Sequence, residues 1–219
     1  MAWSDTGDFT SGQILTAAAM DKVREAMFFG QATFTNEAAR DTAFANPGAL
    51  APITLQEGMR AYLTAPTVPA ATGASTFLPS GITTIYNGSA WDCVTPVGAF
   101  TAASGTRNGA YSATLAGSPG TNPSVTLSTG TSALVSISFY GATSSAGVEA
   151  NMSVAVSGAT TIAASNDYRC VTALAGYVST ALTFVLPGLT AGTNTFTLQY
   201  NSTATGDFSL RRITVQGIA

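Results

Sequence analysis

The residues best suited to chemistry in this 219-residue chain stand near its end, in "GDFSLRRITVQGIA". Arg211 and Arg212 are the one pair of adjacent like charges in the sequence. A guanidinium offers a planar fork of donors to carbonyls or a carboxylate. Enzymatic chemistry finds less material. Histidine is absent, which removes Ser-His-Asp and Cys-His mechanisms and the commonest transition-metal ligand. Beyond Phe100 the carboxylates are Glu149, Asp167 and Asp207. Asp167 and Asp207 would have to face each other to work as a glycosidase pair, and solvated loop-end carboxylates are the simpler reading. "SNDY" at 165–168 is too thin for a calcium site. No glycine-rich phosphate loop or cysteine cluster occurs. The expectation is a non-enzymatic chain with no catalytic residue, cofactor or metal.

Aromatic side chains offer a second kind of site. Trp91, Tyr86, Tyr111, Tyr140, Tyr168 and Tyr177 could stack on sugar rings, with Tyr168 and Tyr177 the candidate glycan contacts. Core or interface packing is the plainer role for each, and Trp91 is expected in a hairpin core across from Tyr86. Cys93 and Cys170 are far apart and read as a free pair. Asn87-Gly-Ser, Asn151-Met-Ser and Asn201-Ser-Thr match glycosylation patterns. The start "MAWSDTGDFTSGQIL" lacks the basic and apolar regions of a signal peptide, so these patterns read as chance.

Charge is the unusual property of the composition. Charged residues make up 9% of the chain, against about 25% in ordinary domains. Mean hydropathy is +0.27. Gly, Ser, Thr, Pro and Asn interrupt every apolar run, so no spanning helix and no membrane insertion are expected. High apolar content with a net charge of −3 argues against disorder. A pI near 4.7 with scattered arginines gives no nucleic-acid footprint. What remains is an assembly subunit with a Ser/Thr-rich surface. Edge strands normally carry charge against unwanted pairing, and its near absence implies edges covered by neighbours.

The elements divide into two regions, 1–98 and 99–219. Of the 19 charged residues, 11 lie within 1–63. In "LTAAAMDKVREAMFFG", Thr16 can cap a helix of about 16–29, with Met20, Val23 and Met27 at helical spacing and Gly30 as the stop. A second helix, about 35–45, has Thr35 as its cap, Glu37 in its first turn and Asn46-Pro47-Gly48 at its end. In "TLQEGMRAYLTA" a capping box competes with alternation of Met59, Ala61 and Leu63, and Gly58 tips the reading toward a strand. "APTVPAATGASTFLPSG" reads as a loop. Asn87-Gly88 between apolar runs marks a hairpin at about 83–95. From Phe100 onward, short alternating strands group Val125 with Leu127, Val135 with Ile137 and Phe139, and Met152 with Val154 and Val156. Further on, Leu182 goes with Phe184 and Leu186, and Phe196 with Leu198 and Tyr200. The fold class is mainly β: a C-terminal antiparallel, jelly-roll-like β-sandwich after a small α+β region with two short helices and a hairpin.

These segments carry a resemblance. "SGQILTAAAMDKVRE", "TFTNEAARDTAFANPGALAPITLQEGMRAYL" and "TTIYNGSAW" resemble an arrangement in minor tail and tail-fibre proteins of tailed bacteriophages, especially those of actinobacteria. "LTAGTNTFTLQYNSTATGDFSLRRITVQGI" is similar to C-terminal β-sandwich segments of such virion proteins. Asp21 departs from the usual Asn, and no coiled-coil or collagen-like shaft joins the two regions, which favours a compact spike or knob. The resemblance implies a virion subunit assembled in the host cytoplasm, forming a homotrimer. Its helix with Met20, Val23 and Met27 would dock on other virion proteins of tail or capsid, and its sandwich would face outward toward a host-surface glycan. A capsid decoration protein or head fibre is the close alternative, and a carbohydrate-binding module the next.

For the arginine pair, strict alternation puts Phe208, Leu210 and Arg212 on one face of a final strand and Ser209, Arg211, Ile213 and Val215 on the other. Three roles stay open. A bulge could let both arginines reach solvent or sheet-edge carboxylates. One could sit at an oligomer interface with Phe208 and Leu210. The pair could bind an anionic glycan.

Overall fold

The computed structural model describes residues 31–45 and 55–218. The first expected helix, with Met20, Val23 and Met27, lies outside them. The described part begins with β1 (Ala32–Phe34), α1 (Glu37–Phe44), β2 (Arg60–Leu63), β3 (Ala70–Thr72), β4 (Ser75–Phe77), β5 (Ile82–Tyr86) and β6 (Trp91–Cys93).

A four-stranded sheet of order β1-β2-β5-β6 organises this region. Met59, Ala61 and Leu63 turn inward as their alternation requires, and Gly58 sits in a turn at φ +86°. The hairpin closes through Asn87–Ala90, with Gly88 at φ +93° and the Asn87 N–H donating to the Ala90 carbonyl. Trp91 pairs with Tyr86 across it, ring centroids 5.5 Å apart. The helix cap differs from expectation. Asn36, not Thr35, accepts from the Ala39 N–H, because the Thr35 carbonyl is already taken by the Ala65 N–H and stays with the strand. Glu37 does occupy the first turn, where its carboxylate accepts from Thr67 and Val68. Partial burial pushes that carboxyl up, but these donors outweigh it and hold its pKa below the usual value.

The sandwich follows: β7 (Val97–Thr101), β8 (Gly105–Ser112), β9 (Ala116–Gly117), β10 (Ser124–Thr129), β11 (Ser132–Thr143), β12 (Ala150–Gly158), β13 (Cys170–Thr172), β14 (Val178–Pro187) and β15 (Gly192–Ile218). One strand, β15, runs through both layers. Its first part, 192–202, lies in a sheet of order β13-β12-β15-β10-β3. Its second part, 206–218, lies in a sheet of order β14-β11-β15-β7-β4. The strand changes sheets near Gly206, where an added Cβ would come within 2.8 Å of the Ala150 Cβ.

Two strands come from an unexpected place. The stretch read as a loop, 65–81, supplies β3 and β4, which close the edges of the two sheets against β10 and β7. Backbone pairing on a waiting sheet edge overrides local Pro/Gly composition, and it carries the sandwich across the boundary at 98. The core follows the alternation. Val125, Leu127, Val135, Ile137, Phe139, Met152, Val154, Val156, Phe196, Leu198 and Tyr200 are buried between the layers. Leu186 is buried with them, while Leu182 and Phe184 are partly buried and pack against it. Cys93 and Cys170 are free and buried, and burial pushes their thiols up to about 11 and about 12. Both stay protonated and unreactive at neutral pH.

Candidate functional site

The two adjacent arginines end up in opposite environments. Along β15, Arg212 pairs with Ser138 of β11, but Ser209 pairs with Tyr140. Two residues, Leu210 and Arg211, therefore oppose the single Phe139, and Leu210 takes φ +47°. This bulge shifts the alternation by one position. Phe208 and Arg211 point inward, both 0% exposed, while Leu210 and Arg212 point outward. The shared face expected for Phe208, Leu210 and Arg212 does not exist. Arg211 and Phe208 are enclosed within this chain and present no surface of their own. The expected bulge is present, but it frees one arginine rather than both.

Arg211 is a clasp. One terminal nitrogen donates to the Tyr200 hydroxyl at 3.1 Å, and the other to the carbonyls of Ala103 (3.2 Å) and Pro119. Tyr200 in turn donates to Asn122 at 2.7 Å. Burial pushes the Tyr200 hydroxyl up to about 12, despite the nearby guanidinium, so it keeps its proton and can donate. No carboxylate takes part. The buried cation is balanced by backbone dipoles, and it ties the segments on either side of β8 and β9 to β15.

Arg212 lies on the outer face of the second sheet, its guanidinium 5.3 Å from the Phe100 ring centroid. It makes no ion pair or hydrogen bond among the described residues. Beside it runs a groove of about 370 Å³ lined by Ser75, Thr76, Phe77, Phe100, Arg212 and Thr214. The register explains the groove. Phe77, Gly98 and Thr214 form one cross-strand row, and Ser75, Phe100 and Arg212 the next. Gly98 brings no side chain, so a gap opens between Phe77, 63% exposed, and the Arg212–Phe100 stack.

The rest of this outer face is almost free of charge. Ser136 and Thr183 share a 2.8 Å hydrogen bond across β11 and β14. Beyond them Leu134 pairs with Val185, which is 50% exposed, and Ile218 closes the end. At the opposite end Tyr140 and Tyr177 stack at 5.2 Å, and the Tyr177 hydroxyl donates to Asp207. That bond holds the Tyr177 pKa above its ordinary value. Of the two candidate glycan contacts, Tyr177 is therefore exposed. Tyr168 is not beside it; it stacks on Phe184 at 4.9 Å and packs against the core. The sequence reading missed Phe77 and Phe100. The available signal was "TFLP", two large apolar residues inside a Pro/Gly/Ser/Thr stretch.

A second hollow, about 460 Å³, lies where the small sheet meets the sandwich, lined by Arg40, Asp41, Phe44, Tyr86, Trp91 and Thr193 among others. Arg40 is buried there over Trp91 at 4.6 Å and paired with Asp41 at 2.8 Å. Its charge is spent within the protein, unlike that of Arg212. Among the described residues no cluster of His, Cys, Asp and Glu could hold a metal ion, and no helix is long and apolar enough to cross a membrane.

No family model matches the chain, and no curated protein matches it. Solved structures show distant likeness. The Eiger TNF of S. frugiperda is 12% identical at a TM-score of 0.36, over 55% of this chain and 93% of that one. Murine APRIL is 10% identical at 0.34, over 68% and 95%. A CBM35 from Cellvibrio japonicus Abf62 is 13% identical at 0.29, over 57% and 95%. Likeness this slight carries no argument about function, and the mainly β architecture rests on the strand register itself.

Proposed function

We propose that this chain is a non-enzymatic structural protein of a tailed-phage virion. In this reading its N-terminal region holds it to the particle, and its sandwich is an outward knob that associates with copies of itself as a trimer. The virion assignment rests on the resemblance of "SGQILTAAAMDKVRE", "TTIYNGSAW" and the C-terminal run. The assembly role rests on one observation: the outer face of β14, β11 and β15 exposes Val185 and Ile218, with the half-buried Leu134 beside them, among Ser and Thr, and Arg212 is the one unpaired charge it carries among the described residues. Size-exclusion chromatography with light scattering tests it. An assembly of defined size is expected, and a stable monomer at micromolar concentration overturns the self-association. Labelled antibody on intact particles tests the virion role. Label at the tail supports a minor tail protein, label confined to the capsid supports the decoration or head-fibre alternative, and no label overturns both.

A further inference from the structure

We infer that the groove between Phe77 and the Arg212–Phe100 stack is a binding site for a carboxylate-bearing sugar residue, as in a uronic-acid polysaccharide. The inference deepens the reading of the sandwich as an outward knob by naming what one edge of it would hold.

Three features converge. First, the cation is available. Arg212 is exposed and its side chain is unpartnered among the described residues, with the guanidinium carbon 5.3 Å from the Phe100 ring centroid, within cation–π range. A guanidinium held this way keeps a fork of donors ready for two carboxylate oxygens at little further ordering cost. Second, the opposite wall is an exposed aromatic ring. Phe77 is 63% exposed on the edge strand β4, where its side chain gains little from its own fold. Such a ring offers its face to the C–H side of a pyranose, which is apolar. Third, hydroxyl side chains stand on the same face beside these walls: Ser75 in the row of Phe100 and Arg212, and Thr214 in the row of Phe77. These donate to and accept from sugar hydroxyls equally well. The volume of about 370 Å³ lies at the lower end of the range for small-ligand sites.

Charge complementarity sets the ligand's sign. Among the described residues Arg212 is the sole unpaired charge on this face, since Asp207 at the far end is engaged by Tyr177. A neutral sugar would leave the guanidinium without a partner it could otherwise have, and a cationic one would be repelled. A peptide carboxylate meets the same cation but makes poorer use of an open ring face and a row of hydroxyls. The groove also lies toward β7 and β4, whereas Leu134 and Val185 lie toward β11 and β14. Ligand binding and self-association are therefore separable.

The test is calorimetric titration of the full chain with oligogalacturonate, its carboxyl-reduced neutral counterpart, and a glutamate-rich peptide. Binding to oligogalacturonate is expected to exceed the neutral form by about tenfold or more, the worth of one charge-assisted contact. Arg212→Gln should lose that margin, Arg212→Lys should keep part of it, and Phe77→Ala should weaken both sugars, each with unchanged thermal unfolding. Equal affinity for the charged and neutral sugars, or no binding at millimolar sugar, overturns the proposal. Preference for the peptide overturns it in favour of a protein partner. Arg212→Gln lowering the oligomeric state instead would assign the cation to a neighbouring copy and also overturn it. A monomeric chain that still binds oligogalacturonate would sink the assembly reading and leave this one standing.

Discussion

The two outer faces of the sandwich share one strand, β15, and a common stock of serine and threonine. They differ in what else they display. On the first sheet, β12, β15 and β10 turn out Ser157, Thr193, Thr195, Thr197, Gln199, Ser124 and Thr126, a surface of hydroxyls and amides. On the second, the same alternation turns out Leu134, Val185, Tyr140, Leu210, Phe77 and Arg212. A hydroxyl face is satisfied by water and needs no partner. A face with half-exposed aliphatic and aromatic side chains, and a cation without a counter-ion, gains free energy when something covers it. Ser/Thr richness alone therefore does not mark a contact surface, and the apolar insertions do.

The largest effect that sharpens this contrast lies within the arginine pair. Arg211→Ala should cost about 3 kcal/mol or more, since it leaves a cavity and strips the Ala103 and Pro119 carbonyls of their donor. Arg212→Ala, on the outer face, should stay within about 0.5 kcal/mol. Urea unfolding of the two variants compares them, and similar losses would mean that the bulge does not divide them. Next comes a charge placed on each face. Leu134→Glu should weaken self-association by about tenfold or more through like-charge juxtaposition, while Thr195→Glu on the hydroxyl face should leave it unchanged. Light scattering across a dilution series reads both, and equal disruption would erase the distinction between the faces.

A smaller effect concerns the joint beneath both faces. Asp92 is buried beside the β10–β11 turn and accepts from the Asn87 amide. Burial pushes its carboxyl up to about 6, against the opposing pull of that amide. The folded chain thus holds this proton more tightly than the unfolded one. The contribution is complete below the ordinary value of 3.8 and is lost as pH rises through about 6. Glu37, held below its ordinary value, has the opposite sign: its contribution exists above 4.5 and fades as pH falls. Unfolding free energy from pH 3.5 to 7.5 should therefore fall less in Asp92→Asn than in the parent, and fall more than in the parent in Glu37→Gln. Smallest are the cross-strand hydroxyl pairs, one on each face: Thr126 with Thr195 and Ser136 with Thr183, both at 2.8 Å. Thr126→Val and Thr183→Val should each change stability by less than about 1 kcal/mol. A larger loss on one face alone would show that the hydroxyl ladders are not equivalent.

Much of the fold was legible because burial in a two-layer sheet obeys a period of two. Val135, Ile137 and Phe139 announce their face in any register, as do Phe196, Leu198 and Tyr200. Asn87-Gly88 marked its hairpin because few other residues accept such a turn. Less could be read where pairing decides. "APTVPAATGASTFLPSG" has the composition of a loop, and only the vacant edges of β10 and β7 make strands of Ala70–Thr72 and Ser75–Phe77. The groove was invisible for the same reason: Phe77 and Arg212 are 135 positions apart in the chain, and they meet through the register of three strands.

What the sequence determined by itself was the set of inward side chains, the poverty of charge and the absence of a histidine, since these follow from residue identity and local period. Which arginine is buried was decided by tertiary structure alone. A single extra residue opposite Phe139 moves the phase of β15 by one position, and no local property of "FSLRRITV" says where that residue must fall. The bulge puts Arg211 among backbone carbonyls and leaves Arg212 on the open face, so that two identical neighbours take up opposite tasks.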